Sequence, residues 1–498
     1  MSILVNGYHF YIAGWHLFMS PLMIGFLFLG TIIGIVFGVI PGLTSTMGLA
    51  VFIPLTFGMD PYVGIVLLMG IYVGSIYAGS ITAILVNIPG TPGAIVTGLE
   101  GYPMTLKRES GRAIGISATA SLLGGFIGII FLSLLAPAIS KVALRFNSVD
   151  YVALAFLGLS VVSYISSGSI LKGLIAVVIG LMLASVGTDP MTGAPRFTFG
   201  SNEVYSGLPL IPVLIAFFGL PEVLENINLN VPVTKMKEFT KIIPTHSDLK
   251  QISGAVIRGG ILGTFIGAVP FAGGAISCMM NYAIEKMISK EPESFGKGNI
   301  RGLAAPEASN NASVGGALIP LLTLGIPGDP MTAVILGAFL VHGISPGPLL
   351  FEKNPEFISS IFIGNTLATL LIFIIGISCA KYFAKLISIP QRILAPIIMI
   401  FCIVGSYAIR NSIFDIGIFA FFGIGAYLLR KVGIMPAPLV LGFILGPIFE
   451  ENLRRVLMIS GMDWSLFIKR PSSVIMLAVG CLILFSPLIF KMMKPKSK

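Results

Sequence analysis

Charge is scarce in this sequence. Of 498 residues, 10% are Asp, Glu, Lys or Arg and 55% are hydrophobic, whereas a soluble domain carries about 25% charged residues. So few charges cannot solvate a globule of this size, which excludes an ordinary water-soluble fold. No Lys or Arg precedes Lys107, so the basic n-region of a cleavable signal is missing. The first apolar run leads into a Gly/Pro motif instead of a small-residue cleavage site, and the first span is expected to be retained. Cysteine is equally sparse. Cys278, Cys379, Cys402 and Cys481 lie far apart in apolar segments, without metal or redox spacing, and read as small buried hydrophobes. The histidines His9, His16, His246 and His342 form no ligand spacing. Walker A, HExxH and dinucleotide fingerprints are absent, which removes the enzyme classes those motifs carry. Without a nucleotide site, uphill transport would have to draw on an ion gradient or a partner.

Long apolar runs are abundant. Leu17–Ile40, Tyr62–Val86, Ala113–Ala136, Ile358–Ala380 and Ser472–Phe490 each approach or exceed the roughly 20 residues that cross a bilayer core as helix. The expected fold is an all-α polytopic membrane protein with about 10–13 spans and half-spans. Net charge is +10. The basic residues are scattered among span ends and loops, so they speak of topology and not of nucleic acid. Lys491, Lys494, Lys496 and Lys498 place the C-terminus on the cytoplasmic side by the positive-inside rule.

The chain repeats itself. Gly30, Gly34, Gly38 and Pro41 follow the spacing G-x3-G-x3-G-x2-P, and Gly259, Gly263, Gly267 and Pro270 follow it again 229 residues later. Downstream, Ile88–Pro92 reads IPGTP and Ile326–Pro330 reads IPGDP, displaced by 238 residues. Two ordered pairs at nearly equal offset argue for internal duplication. Residues 1–224 form the first transmembrane repeat, 225–257 a polar connection, 258–470 the second repeat, and 471–498 a final span with a basic tail.

The two motifs ask for different physics. Glycine at every fourth position lines one helix face and admits a second backbone. A Pro-Gly pair removes a backbone donor and supplies turn freedom, so each IPGxP is expected to break the chain in apolar surroundings. Broken backbone at membrane depth is tolerated where it is buried in protein or lines a wet cavity. Matching interruptions in two halves are the best pointer to a transporter's site, since half-helix N-termini attract anions. The candidate substrate residues are therefore Pro41, Gly42, Ser45 and Thr46 after the first glycine helix, and Ser80, Asn87, Pro89, Gly90 and Thr91 around the first tip. Gly273, Gly274, Asn310, Asn311, Pro327 and Gly328 are their counterparts in the second half. Asp329, Thr82 and Ser277 are candidates for a coupling ion, with helix capping the competing role for Asp329. Glu307 reads as a charge at the start of a helix.

Long blocks of the chain resemble the TctA family, the large membrane subunit of the tripartite tricarboxylate transporters. They include GVIPGLTSTMGLA at Gly38–Ala50, YAGSITAILVNIPGTPGA at Tyr77–Ala94, EGYPMTLKRESGRAIGI at Glu100–Ile116, and PRFTFG at Pro195–Gly200. FFGLPEVL at Phe217–Leu224, APEASNNASVGGALIPLLTLGIPGDP at Ala305–Pro330, HGISPGPLLF at His342–Phe351 and LVLGFILGPIFEENLRR at Leu439–Arg455 continue it. The resemblance implies an inner-membrane secondary transporter for a small carboxylate, driven by a Na⁺ or H⁺ gradient and needing no other cofactor. It implies as partners a small four-span membrane subunit and a periplasmic solute-binding protein, and it suggests inverted repeats and an elevator-like movement. One departure stands out: where the family carries a Pro-Gly pair after the second glycine helix, this chain has Pro270-Phe271-Ala272-Gly273-Gly274. Either Gly273-Gly274 supplies the missing freedom or the substrate differs, so citrate is not assumed. An autonomous organic-anion transporter or exporter without a binding protein remains the alternative.

Overall fold

The computed structural model describes residues 2–161, 169–226, 242–270, 273–387, 389 and 391–493. The chain is helical nearly throughout, as its composition predicts. Among the described residues, strand is confined to the two-residue antiparallel pair of β1 (Gly187–Thr188) and β2 (Pro195–Arg196).

The helices of the first half are α1 (Ser2–Trp15), α2 (Pro21–Val39), α3 (Ser45–Thr56), α4 (Pro61–Val86), α5 (Ala94–Leu106) and α6 (Ser110–Ala143). They are followed by α7 (Ser148–Ser160), α8 (Ile170–Ala184), α9 (Leu210–Phe218) and α10 (Leu220–Asn226). The second half continues with α11 (His246–Gly267), α12 (Gly273–Met287), α13 (Ile300–Leu324), α14 (Pro330–Val341), α15 (Leu350–Lys353) and α16 (Pro355–Ser378). It closes with α17 (Ala380–Ile387), α18 (Gln391–Ala408), α19 (Ile413–Lys431), α20 (Pro436–Ile459), α21 (Leu466–Lys469) and α22 (Pro471–Met493). Among the described residues, α2, α4, α6, α16 and α19 are long and apolar enough to cross a membrane. The first four coincide with runs picked out in the sequence. The protein is a multi-pass, all-α membrane protein.

The chain divides into two compact units. One comprises Met1–Ser140 and Glu222–Ile409; the other comprises Lys141–Pro221 and Arg410–Lys498. Each unit therefore draws one stretch from either side of the polar connection. Of that connection, residues 227–241 lie outside the described residues, and α11 starts within it at His246. Lys494, Lys496 and Lys498 of the basic tail are also outside them.

In the first unit the glycine pattern is a packing device. Gly30, Gly34 and Gly38 of α2 lie against the carbonyl oxygens of Leu67, Ile71 and Ser75 of α4. Gly259, Gly263 and Gly267 of α11 lie against those of Ala305, Ser309 and Ser313 of α13. A Cβ on Gly38 would stand 2.5 Å from the Ser75 oxygen, and one on Gly263 2.6 Å from the Ser309 oxygen. Only glycine permits so close an approach. The glycines are offset by 229 residues and the residues they touch by 238, so the repeat found in the sequence is also a repeat of contacts.

The second unit uses the same device once more, where Gly180 of α8 meets the Leu439 carbonyl of α20. Val149, Val152, Val456 and Phe467 form an apolar cluster there. Its polar end is tied by ion pairs: Asp189 to Arg454 at 2.6 Å, Arg196 to Glu450 at 2.5 Å, and Asp150 to Arg470 at 3.0 Å.

Candidate functional site

Both IPGxP motifs follow the end of a long helix, and the two ends are built alike. Helix α4 closes with Asn87 in the left-handed region, at φ 58°. There Asn87 N–H donates to Ala83 O at 3.2 Å and Ile88 N–H to Thr82 O at 3.4 Å. Helix α13 closes with Gly325 at φ 70°, with Gly325 N–H on Leu321 O at 3.1 Å and Ile326 N–H on Pro320 O at 3.2 Å. Every one of these residues maps onto its counterpart by the 238-residue offset. Such αL endings satisfy the last free carbonyls of a helix.

The tip glycines work differently from the sequence-based expectation. Gly90 and Gly328 are not among the positive-φ residues; the turn freedom is used at Asn87 and Gly325. What the tips need is room. A Cβ on Gly90 would run into the Gly38 carbonyl oxygen and stand 2.8 Å from Gly79 Cα, and one on Gly328 would stand 2.5 Å from Ala317 Cα. Gly90 N–H donates to Gly79 O at 3.0 Å, which seats the first tip on α4. Pro89 and Asn87 are exposed, whereas Pro327 and Gly328 are buried.

After the second tip, Asp329 caps α14. Its Oδ1 accepts from Thr332 N–H at 2.7 Å and from the Thr332 hydroxyl at 2.8 Å, and its Oδ2 accepts from the Tyr72 hydroxyl of α4 at 2.5 Å. This is a capping box, the role weighed for Asp329 in the sequence. Thr82 and Ser277, the other coupling-ion candidates, bond elsewhere: the Thr82 hydroxyl to Gly79 O at 3.0 Å, and Ser277 to the Ser309 hydroxyl. The three residues thus hold three different neighbours.

The first tip lacks such a cap. The 238-residue offset carries Asp329 back to Thr91 and Tyr72 forward to Asn310. Where the second copy has a carboxylate bonded to a phenol, the first has two short neutral side chains. Thr91 Oγ1 and Asn310 Nδ2 are both buried without a hydrogen-bond partner, a condition native proteins seldom leave unrelieved. Helix α5, which starts just after Thr91, has no side-chain cap. A Cβ on Gly93 would stand 2.6 Å from Asn310 Oδ1, and one on Gly274 2.5 Å from the same atom. Asn310 is therefore enclosed by the starts of α5 and α12. Gly273 opens α12 at φ 59° and faces Asp329, 3.7 Å from a built Cβ to the Asp329 Cβ. The freedom asked of Gly273-Gly274 is thus present at Gly273; Phe271 lies outside the described residues.

Near the other glycine helix, Gly42 turns at φ 87° and its carbonyl accepts from Asn226 Nδ2 at 2.9 Å. Pro41 is buried beside it and Thr46 is half-buried on the first turn of α3. Ser45, at the start of α3, is a further buried hydroxyl without a partner.

Two carboxylates that the sequence undervalued complete the region. Glu307 is not at a helix start: α13 begins seven residues earlier, and the side chain is fully buried. It accepts from Ser80 at 2.6 Å, from Thr97, from Ser117 at 2.7 Å and from Ser121 at 3.3 Å. Asn311 donates to Ser121 Oγ at 2.8 Å, and its own Oδ1 is buried without a partner. Glu100 of α5 accepts from Tyr282 at 2.8 Å and from the backbone N–H groups of Gly296, Gly298 and Asn299 at 2.5, 2.7 and 2.7 Å. The Arg258 and Arg301 guanidinium groups converge on buried Glu285 at 2.6 and 2.7 Å.

Comparison with known proteins gives this arrangement a context. The profile of the Tripartite tricarboxylate transporter TctA family matches residues 24–441. An uncharacterized 52.8 kDa protein of Agrobacterium vitis, from the TAR-I ttuC′ 3′ region, is 39% identical over 472 residues, covering 94% of this chain and 93% of the relative. A second Agrobacterium vitis protein, from the TAR-II ttuC′ 3′ region, is 42% identical over 228 residues, covering 45% of this chain and 93% of the relative. No solved structure matches.

Proposed function

The chain belongs to the tripartite tricarboxylate transporter TctA family, and from that premise we propose that it is the large membrane subunit of a secondary carboxylate uptake system. It resides in the cell's inner membrane with its C-terminus in the cytoplasm. A small four-span subunit and an extracytoplasmic solute-binding protein assist it, and a Na⁺ or H⁺ gradient drives it. The basic tail and the absence of a nucleotide motif support the orientation and the energy source.

The observation that carries the reading is the unmatched pair Thr91 and Asn310. At the equivalent place in the second copy, the Asp329 carboxylate caps a helix and receives the Tyr72 hydroxyl. At the first tip, the substrate's carboxylate takes that place. It accepts from Thr91 Oγ1 and Asn310 Nδ2 and sits at the start of α5, where free backbone N–H groups and the helix dipole favour an anion. Thr91 and Asn310 are buried, so a carboxylate bound there is drawn out of water and its hydrogen bonds gain strength. The glycines Gly93 and Gly274 keep the approach open, since a side chain at either would collide with Asn310.

The test is uptake in proteoliposomes with the cognate binding protein, scanned over mono-, di- and tricarboxylates and over Na⁺ against pH gradients. Saturable carboxylate uptake is expected, weakened at least tenfold in apparent affinity by Thr91→Ala and by Asn310→Ala, as for the loss of a buried hydrogen bond to a charged group. Unchanged half-saturation in both variants would remove the site from consideration. Full uptake without the binding protein would favour an autonomous transporter.

A further inference from the structure

We propose that Glu307, with Ser80, Thr97, Ser117, Ser121 and Asn311, forms a binding site for one Na⁺ ion. Its role as the coupling site rests on the transporter reading above; the binding itself does not.

The cluster is assembled from four helices: Ser80 from α4, Thr97 from α5, Ser117 and Ser121 from α6, and Glu307 with Asn311 from α13. All six residues are buried. Each carboxylate oxygen of Glu307 receives two hydroxyl donors, Ser80 and Thr97 on Oε1 and Ser117 and Ser121 on Oε2. That pattern suits the ionised acid, whose two oxygens are acceptors only. Yet among the described residues no Lys, Arg or His bonds to it, and a carboxylate buried without a counter-charge is costly. A cation resolves the conflict.

The ligands select its type. Each of the four side-chain atoms bonded to the carboxylate is a hydroxyl oxygen, which suits a hard cation and disfavours the softer transition metals. The nearby Cys278 thiol is turned away, donating to Pro306 O at 3.3 Å. One carboxylate balances one positive charge, so a monovalent ion leaves the buried site neutral. Hydroxyl hydrogens that now point at Glu307 would turn aside and present oxygen lone pairs to the metal. Asn311 supplies the independent pointer. It is 3% exposed, its amide nitrogen is held by Ser121, and its carbonyl oxygen has no partner. An acceptor left idle beside a carboxylate is what a cation would use. The 238-residue offset places Met69 where Glu307 would recur, so the cluster has no counterpart in the first copy.

The experiment is thermal unfolding of the detergent-purified full chain, titrated with Na⁺ against K⁺ or choline at constant ionic strength. A ligand that binds only the folded state raises the midpoint with the logarithm of its concentration. Na⁺ alone should do so in the wild type. Glu307→Gln should abolish the response, and Ser121→Ala should raise the half-saturating Na⁺ concentration about tenfold. The proposal is overturned if Na⁺ stabilises no more than K⁺, if Glu307→Gln keeps the response, or if stabilisation follows pH and not Na⁺, which would make Glu307 a proton carrier. Should Glu307→Gln fail to insert, Ser121→Ala decides alone, and an unchanged half-saturation refutes the site. Na⁺ binding that survives while carboxylate uptake fails would sink the transporter reading and leave the site standing.

Discussion

Thr91→Asp would give the first tip the carboxylate that the second already owns at Asp329. If the substrate's carboxylate occupies that place, the variant carries its own competitor. Two like charges about 4 Å apart repel by about 4 kcal/mol at an effective dielectric constant of 20, which is about a thousandfold in affinity. The new carboxylate is buried without a counter-charge, so some loss of stability accompanies the loss of affinity. The assay is the concentration dependence of uptake in proteoliposomes, alongside thermal unfolding of the same preparation. Expected are lost uptake at any practical substrate concentration and a cooperative unfolding transition that shows the variant still folded. Thr91→Asn, similar in size and uncharged, should lose no more than about tenfold in affinity, the scale of one hydrogen bond. Wild-type half-saturation in Thr91→Asp would refute the reasoning. Equal damage from Asn and Asp would show that bulk, not charge, is what the tip refuses.

Gly90→Val and Gly328→Val should each abolish uptake while the protein still inserts, because any Cβ there meets backbone of α2, α4 or α13; normal uptake by both would remove the tips from the mechanism. Asp329→Ala should lower stability by about 3 kcal/mol in thermal unfolding, since it deletes a helix cap and strands the buried Tyr72 hydroxyl. Asp329→Asn should keep most of the cap and leave the Na⁺ response of uptake unchanged; a shifted response would return Asp329 to the coupling machinery. In the second unit, backbone N–H groups of Met191 and Thr192, and then Arg454 and Arg196, hold Asp189 down to about 2. A folded-state value below the unfolded one stabilises above the ordinary carboxylate range, and that contribution disappears as pH falls from about 4 through 2. The midpoint difference between wild type and Asp189→Asn should therefore shrink over that interval, and a difference that does not change with pH would contradict it.

Much of this architecture was legible because duplication leaves exact copies. The glycine spacing and the IPGxP pairs named the helices that touch and the places where they end, and the contacts repeat with the same two offsets. Glycine's function was less legible. Gly90 and Gly328 look like turn residues beside proline, yet the left-handed positions are Asn87 and Gly325, and the tip glycines serve close approach. Whether a glycine is needed for its dihedral or for its missing side chain depends on a neighbour some fifty residues away for Gly90, the Gly38 carbonyl, and a sequence does not display neighbours. Glu307 was misplaced for the same reason. An apolar run follows it, so it resembled a helix start, but Asn299 caps α13 earlier, and the hydroxyls that hold it come from three other helices. The signal that existed was the density of Ser, Thr and Asn in apolar surroundings at Ser75–Thr82 and Ser309–Ser313.

Helix α5 is thirteen residues long and is gripped twice by the second half of the chain. Thr97 holds Glu307 in the middle of α13, and Glu100 holds the backbone that leads into α13. A short rod fixed at two points to a longer one has no independent swing. Gly93, at the uncapped end beside Asn310, lies one helical turn, roughly 5.4 Å, from Thr97. Moving Thr91 therefore means either carrying α13 along or breaking the Thr97 contact, and that contact is where the proposed ion would sit. An occupied cation cluster would lock the lever that bears the anion's seat, and an unoccupied one would release it. Obligatory co-transport would then need no long-range relay, only the stiffness of a single helical turn.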